Sequence, residues 1–500
     1  MTVEQLQLLL SGDYAKLYEV ISKGQRVIKL GTKTMTVEQA MRQYDPFLHD
    51  VNDPAIRENR KLEFEGEEYE NAVSENKDTK VSTSYEEVEV NRLQLARQQQ
   101  IVQSAVFFEC GSDITIDFNS EEESETAFFD LIKKVWTDNK LSYKTEDIVE
   151  RRMIETHCAE LWYDFLDADY WKGTPLEGSE RRPGMMLLCK ENGDDIFPVW
   201  DEHDGLIAFG RRYQTVNPIT DIKTLHFDFY TADTILLGSQ VDGADWTTEE
   251  KPGYGFLPII YHSQKRPEWA NIQPLADREE NNVSNLADTN DYYGDPTMVV
   301  EGEAESLPSK GEVAKVMQVK GENGGRGSVS FAQPDAMVDS KKMEFDKLKQ
   351  EQFDITNTPD ISFNTMSQLM SNGTSGIALR LLFMGPQLKG NKNQKRLKEM
   401  LVRRLNVIKK MLISFSPAEF DDMDSLLPSI KFKDALPVNK TELIGDVSKM
   451  VTSKLLSRKT AMTMLGEVSD VEAELEQILA EAKQDLQMAK EAKADSEPKI

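Results

Sequence analysis

Residues 357–380 read NTPDISFNTMSQLMSNGTSGIALR, and between 357 and 373 the only charged side chain is Asp360. Asn357, Pro359, Asn364, Asn372 and Gly373 punctuate the stretch, with Ser and Thr between them. These residue types break regular structure or divert backbone hydrogen bonds to their own side chains, so neither helix nor strand is predicted. Connections in compact domains usually run to about four to six residues. A neutral connection this long, set between two strongly charged helical patterns, is either unstructured or functional.

Working outward, Ser340 to Ile355 reads as a charged helix. Leu275 to Tyr293 reads as another, with Val283, Leu286 and Ala287 on one side and Asp and Asn on the other. Gly294-Asp-Pro296 ends the earlier one. Between them lie two strand-like runs, Thr297 to Val300 and Val313 to Val319, bracketed by Gly302, Gly311, Gly321 and the turn Gly324-Gly-Arg-Gly327. Helix, small β module, helix predicts a hairpin of two helices with a compact tip.

Downstream, a helical pattern runs from Thr374 to Phe415, with a kink expected at Gly385-Pro386. It carries ten Lys and Arg against the lone anion Glu399, inside a chain of formal charge −28. One account is a solvated face that pairs with acidic helices of the same or a neighbouring chain; the other is contact with a polyanion. Arg380, Lys389, Lys392, Lys395 and Arg396 are the candidates for either role.

The remaining elements frame this region. Val3 to Leu10 and Tyr14 to Ile21 predict short amphipathic helices, and Asn52 to Glu89 an acidic arm, poorly ordered unless a partner holds it. Helices are predicted over Asn91 to Phe108, Glu121 to Trp136 and Thr145 to Ala168, with a short strand over Asp113 to Phe118. Gly184 to Ile260 turns β-rich, which predicts one small antiparallel sheet packed on those helices. After Pro417, helices follow over Thr441 to Leu456, Thr460 to Leu465 and Val471 to about Lys490, the last with Asp470 as N-cap and a frayed end over Glu491 to Ile500.

The 500 residues exceed one compact core and predict two to four domains or subdomains. An acidic chain is unsuited to coating nucleic acid along its whole surface, since that affinity comes from cations displacing condensed counterions. Cys110, Cys158 and Cys189 have no CxxC spacing, which argues against a disulfide framework or zinc site and for a reducing compartment. Neither a secretory leader nor a membrane span of about 18 apolar residues is expected.

No enzymatic constellation emerges. GxxxxGK[ST], GxSxG and HExxH are all missing from the sequence. His49, His157, His203, His226 and His262 fall in separate elements, and His157 beside Cys158 in a predicted helix would point about 100° away from it. The acidic run Glu121 to Glu125 reads as a helix start at the positive dipole end, not a cation loop. No catalytic residue, metal ligand or cofactor is therefore assigned.

Four segments in order resemble the portal proteins of tailed double-stranded DNA bacteriophages. Asn91-Arg-Leu, Gln99-Gln-Ile-Val102, Phe107 and Gly111 are similar to the family's early wing helix. Pro274-Leu, Asn281, Ser284-Asn-Leu-Ala-Asp-Thr289, Asp295-Pro and Val299-Val-Glu-Gly302 resemble its stem helix running into the clip. Asn372-Gly-Thr-Ser-Gly-Ile-Ala-Leu-Arg380 resembles the opening of its long helix after the tunnel loop, and Leu456-Ser-Arg-Lys-Thr460, Val468 and Asp470 to Glu476 its C-terminal helices.

The resemblance implies an α+β, mainly α-helical chain with the portal fold (wing, stem, clip, crown), assembled as a ring, usually a dodecamer, around a central tunnel. Residues 1–90 stay unassigned beyond N-terminal helices and acidic arm. The wing falls at 91–270 and, with the long kinked helix, 374–424. The stem falls at 271–294 and 336–356, the clip at 295–335, the tunnel loop at 357–373, the crown at 425–490 and a flexible tail at 491–500. Asn357, Asp360, Asn364, Met366, Gln368, Met370 and Asn372 are then the DNA-facing loop residues, and Asp295, Glu301, Glu303, Lys310, Lys320 and Arg326 the adaptor-docking clip residues. A neutral loop suits a surface that touches DNA without gripping it, because each phosphate contact adds affinity.

Implied partners are further copies of the chain, double-stranded DNA, a terminase motor, the major capsid or scaffold protein, and a head-completion or tail adaptor protein, with no membrane. The implied location is the portal vertex of a virion assembled in the host cytoplasm. Two other readings compete: an acidic intracellular scaffold or adaptor without a DNA channel, and a hydrolase built from scattered carboxylates.

Overall fold

A computed structural model of the chain describes residues 3–49, 91–111, 114–118, 120–293, 297–301, 303–304, 319–320, 328–332, 338–360, 362, 367, 381, 383–416, 420–432, 440–466 and 471–495. In chain order it forms α1 (Val3–Leu10), α2 (Tyr14–Ser22), the hairpin β1 (Ile28–Leu30) and β2 (Lys33–Met35), α3 (Val37–Tyr44) and α4 (Arg97–Cys110). Next come β3 (Ile114–Asp117), α5 (Glu123–Asp138), α6 (Leu141–Glu155), β4 (His157–Leu166), β5 (Arg181–Leu188), β6 (Asp195–Trp200), β7 (Leu206–Val216) and β8 (Lys223–Tyr230). They are followed by β9 (Thr234–Val241), β10 (Thr247–Pro252), β11 (Ile259–Ser263), α7 (Gln273–Tyr293), β12 (Thr297–Glu301), β13 (Glu303–Ala304), β14 (Val319–Lys320) and β15 (Ser328–Ala332). The last are α8 (Val338–Thr356), α9 (Met384–Phe415), a 3₁₀ turn (Asp421–Ser425), β16 (Ser429–Phe432), α10 (Lys440–Thr452), α11 (Arg458–Leu465) and α12 (Val471–Asp495).

The chain divides into two compact units, Met1–Ser367 with Phe383–Ala435, and Gln368–Leu382 with Leu436–Ile500. In the first, β6 to β10 form a five-stranded antiparallel meander, and β11, β4 and β5 a three-stranded antiparallel sheet in that order. Successive strand side chains alternate faces, so Phe227 and Phe229 share one face of the meander and pack with Leu6, Leu17 and Ile21 of α1 and α2. Phe209 and Tyr230 meet Leu161 and Ile259 of the smaller sheet. The largest core joins α4, α5, α6 and α9 through Ile101, Phe128, Ile148, Leu401 and Ile408. Helices α4 and α9 approach backbone to backbone at Gly390, where a Cβ would sit 2.3 Å from the Phe108 carbonyl oxygen. Only glycine permits that separation.

In the second unit, Ser457 caps α11 by accepting from Thr460 N–H at 3.2 Å, and Gly466 ends it in the left-handed region at φ 65°. Val447 and Ala461 are buried there.

Several expectations need correcting. The single small sheet is two sheets, because Asp195–Trp200, Thr247–Pro252 and Ile259–Ser263 are strands as well. The helix expected over Thr145 to Ala168 ends at Glu155. Thr156 turns left-handed at φ 66°, and the rest becomes β4, the central strand of its sheet. Pairing on both sides, which buries His157 to Trp162, overrides local propensity. His157 and Cys158 are thus strand neighbours on opposite faces, not helical ones. The helix expected from Asn91 begins only at Arg97.

Among the described residues the helix that carries Gly385-Pro386 starts at Met384, so Pro386 sits in its first turn, where a missing N–H costs nothing; residues 374–380 of the longer expected helix lie outside the described residues. β12 pairs with β15, a strand not foreseen. Asp470, residues 52–89 and most of Val313–Val319 lie outside the described residues.

One buried charge cluster ties α9 to the sheets. Arg404 is fully excluded from water; its guanidinium donates to both Glu160 carboxylate oxygens at 2.8 and 2.9 Å and to Thr145 Oγ1 at 2.7 Å. His262 Nε2 of β11 lies 2.8 Å from the same carboxylate. Burial pushes the Glu160 carboxyl up, but Arg404 and His262 outweigh it and hold it at about 2. Glu160→Gln leaves Arg404 buried without a counter-charge and is expected to cost about 3–5 kcal/mol near neutral pH. A depressed carboxylate stabilises above its unfolded value and loses that contribution as pH falls toward its folded one. Denaturant unfolding of parent and variant therefore gives a gap that narrows as pH drops from about 4.5 to about 2.

Candidate functional site

Helices α7 and α8 run antiparallel with the small β module between them in sequence. Arg278 Nε donates to Glu344 at 2.8 Å, and Gln352 Nε2 to Glu279 at 2.8 Å. Arg97 adds a bidentate contact to the buried Glu279 at 2.8 and 3.1 Å, so one carboxylate holds α4, α7 and α8 together. The extended residues before α4 lie along α7, with the N–H groups of Asn91, Leu93 and Leu95 donating to Asp288, Ser284 and Glu280. Those bonds explain why this segment is not helical.

At the tip, β12 pairs antiparallel with β15, and β13 with β14, which sets Glu303 opposite Lys320. Glu301 ends β12. Asp295, Lys310 and Arg326 lie outside the described residues.

The start of the neutral stretch is well defined. Asn357 adopts the left-handed region at φ 55° and closes α8, while Thr358 N–H donates back to the Phe353 carbonyl at 2.9 Å. Asp360 accepts from Lys349 Nζ and from Ser362 N–H, both at 3.1 Å. Burial raises its carboxyl, but these donors outweigh it and hold the group below the ordinary carboxylate range. The stretch's one charge is therefore met by α8. Asn364, Met366, Gln368, Met370 and Asn372 lie outside the described residues.

The far end returns to the same place. Lys389 Nζ donates to the Thr356 carbonyl at 2.7 Å and pairs with Glu268, and the Asn357 side chain lies against Gly385. The end of α8 and the start of α9 thus meet at one point.

The cationic strip sorts into three kinds. Arg404 and Lys409 are buried: Lys409 Nζ donates to the carbonyls of Asp424 and Leu426 at 2.8 and 2.7 Å, closing the 3₁₀ turn. Lys389 and Arg403 are engaged by Glu268 and Glu399. Lys392, Lys395 and Arg396 are exposed with no carboxylate in ion-pair range among the described residues; Arg380 lies outside them. Sequence reasoning missed Glu160, Glu279 and Glu268 as partners. Glu160 is 244 residues from Arg404, and no local signal joins them.

A model of the family described as "Phage portal protein, SPP1 Gp6-like" matches residues 49–488. The chain belongs to this family of bacteriophage portal proteins, which are structural head-to-tail connectors. The portal protein of Bacillus phage SPP1 is 23% identical over 351 residues, which cover 66% of this chain and 65% of that protein. The match thus spans just under two thirds of the relative's length. Among solved structures, the neck of an empty GTA particle computed with C6 symmetry is similar over 73% of this chain and 89% of that one, at 10% identity and a TM-score of 0.40. No described helix is long and apolar enough to cross a membrane.

Two kinds of cation can be separated by stability. Lys409→Met strips the buried Leu426 carbonyl and the part-buried Asp424 carbonyl of their donor and is expected to cost about 2 kcal/mol, whereas Lys392→Ala with Lys395→Ala stays within about 0.5 kcal/mol of the parent. Denaturant midpoints of the three proteins check both values.

Proposed function

We propose that the chain assembles into a closed homo-oligomeric ring, a dodecamer by family resemblance, at one vertex of a phage capsid. Its central tunnel carries double-stranded DNA during packaging and ejection. The observation that carries this is the portal-family match over residues 49–488. In this reading, residues 91–270 and 374–424 are the wing, 271–294 and 336–356 the stem, 295–335 the clip and 425–490 the crown. The protein acts as a passive channel, assembly nucleator and docking ring without enzymatic activity. A separate terminase motor supplies the packaging energy, the clip receives a head-completion or tail adaptor, and the capsid or scaffold protein abuts the ring.

Residues 357–373 form the tunnel loop. Support comes from the contact of Lys389 with Thr356, which joins the helices on either side, and from the neutrality of residues 357–373 once Asp360 is met by Lys349. A surface with few phosphate contacts lets DNA slide, because each such contact would add affinity and salt dependence. Exposed Lys392, Lys395 and Arg396 supply any weak attraction to the duplex or to a neighbouring subunit.

Light scattering of the purified protein is expected to give the mass of about a dozen subunits, and negative-stain images a ring with a central hole. A monomer that also fails to close on assembling shells would favour the acidic scaffold reading. Deletion of Thr365 to Met370 is expected to leave rings intact while heads fail to package or retain DNA; normally filled heads would remove the tunnel-loop assignment.

A further inference from the structure

The three-stranded sheet has two edges, β5 and β11, and they are finished differently. On β5 the carbonyls that point away from β4 are met by side chains. Asn139 Nδ2 donates to the Pro183 carbonyl at 3.2 Å, Lys144 Nζ to that of Met185 at 2.5 Å and Asn192 Nδ2 to that of Leu187 at 3.0 Å, and Pro183 has no N–H to offer. A proline and side chains laid over the carbonyls close an edge against further strands.

The β11 edge has no such cover. Trp162 N–H donates to the Pro258 carbonyl and Gln264 N–H to the Thr156 carbonyl, both at 2.9 Å, so in the register that sets Ile260 opposite Glu160 the even-numbered residues bond to β4. An antiparallel residue sends its N–H and C=O to the same side, so Ile259, Tyr261 and Ser263 aim theirs away from β4. Among the described residues nothing bonds to these backbone groups. Ile259 and Tyr261 are only 6% and 7% exposed, so water reaches their backbone sparingly, and a shielded N–H or C=O without a partner is costly.

The space in front of that edge has the dimensions of a strand. A cleft of about 770 Å³ separates β11 from α9. All of β11 lines it, a length of about 17 Å, and α9 flanks it from Arg396 to Lys410, about 21 Å. Trp200 and Leu206 wall the side where the odd-numbered β11 side chains lie, with Trp200 edge-on to Tyr261 at 5.7 Å, and Met400 and Val407 of α9 line the cleft as well. A strand laid here would turn its alternate side chains toward two apolar walls. Exposed cations stand at both ends: Lys265, two residues past β11, and Lys410, over the Phe256 ring at 5.6 Å. Asp204 and Glu399 also line the cleft, Glu399 already engaged by Arg403.

We propose that this cleft is a strand-addition site, where an extended segment of a partner protein, apolar over about five residues and acidic at both ends, pairs antiparallel with β11. The segment's N–H groups donate to the outward carbonyls of Ile259, Tyr261 and Ser263, and its carbonyls accept from their N–H groups. The main-chain bonds and the two walls hold it; Lys265 and Lys410 steer its acidic ends and set its polarity of charge. The other described edge strands of a second copy do not fit. β10 (Thr247–Pro252) has no apolar side chain before its terminal proline, β6 buries Ile196, Phe197 and Val199 in its own cores, and β5 is closed.

Fluorescence anisotropy with a labelled synthetic peptide, Glu-Glu-Val-Thr-Val-Thr-Val-Glu-Glu, tests this on the full-length protein. Two further versions carry N-methyl groups on alternate peptide bonds, one on the odd set and one on the even, which removes the donors from one side of an extended strand and leaves the charge unchanged. The parent peptide is expected to bind, one N-methylated version to lose at least about tenfold in affinity, and the other to stay within about threefold of the parent. In the complex, amide hydrogen exchange at Ile259, Tyr261 and Ser263 should slow about tenfold, while Ile260 and His262, already bonded to β4, keep their rates. Lys265→Glu with Lys410→Glu should weaken the parent peptide about tenfold at low salt and less at high salt. Equal affinity of the three peptides means that charge alone holds them and overturns the proposal, as does an absence of binding up to about 1 mM. A peptide that binds but splits the protein into smaller species by light scattering puts a second copy in the cleft, and the assignment to a partner protein then fails.

Discussion

The buried contact of Arg404 with Glu160 is the constraint on which the rest of the first unit depends. A guanidinium and a carboxylate removed from water carry a large desolvation penalty, offset only when the geometry is close and the spare lone pairs and protons are used. Both conditions hold: Arg404 spends its donors on both Glu160 oxygens and on Thr145, and His262 takes the remaining side of the carboxylate. Helices α6 and α9 and strands β4 and β11 are thereby fixed to one another at one polar point of the core, and the buried pair Arg152–Glu109 ties α6 to α4 beside it. Gly390 then lets α9 lie against α4, and Lys409 closes the turn that follows the helix.

Fixing α9 also fixes what its N-terminus can do. Lys389 reaches the open carbonyl end of α8 and the Glu268 carboxylate, so the chain between the two helices must begin and end at one place. Lys389 joins the start of α9 to the end of α8 at Thr356, and the single charge of residues 357–373 is answered by Lys349 on α8. Nearby, Arg97 and Gln352 gather around Glu279, a second buried carboxylate serving the same purpose for α4, α7 and α8. Buried Arg–Glu contacts, Arg404–Glu160 and Arg152–Glu109 in the core of the first unit and Arg97–Glu279 at the helix pair, thus do the positioning, while the surface cations are left for other partners.

Much of this was legible residue by residue. Amphipathic spacing located α1, α2, α5, α7 and α8 to within a few residues, and the alternation in β7, β8 and β9 marked the β-rich middle. The failures have a common cause. Strand β4 looked helical because the six residues His157 to Trp162 are buried on both faces, which leaves no polar–apolar period of two. Residues 91–96 looked helical because nothing local announces that their N–H groups are taken by α7.

By itself the sequence determined the order of helices and small sheets, the excess of acid, the neutral stretch and the strip of cations, because these rest on composition and on contacts a few residues apart. It also held enough ordered similarity to point to the portal family. Only the tertiary structure decided which cations are free and which are spent, since the partners of Arg404, Arg97 and Lys389 lie roughly 120 to 250 residues away, and a buried charge is satisfied by whatever the fold brings within hydrogen-bond range, not by its neighbours in the chain.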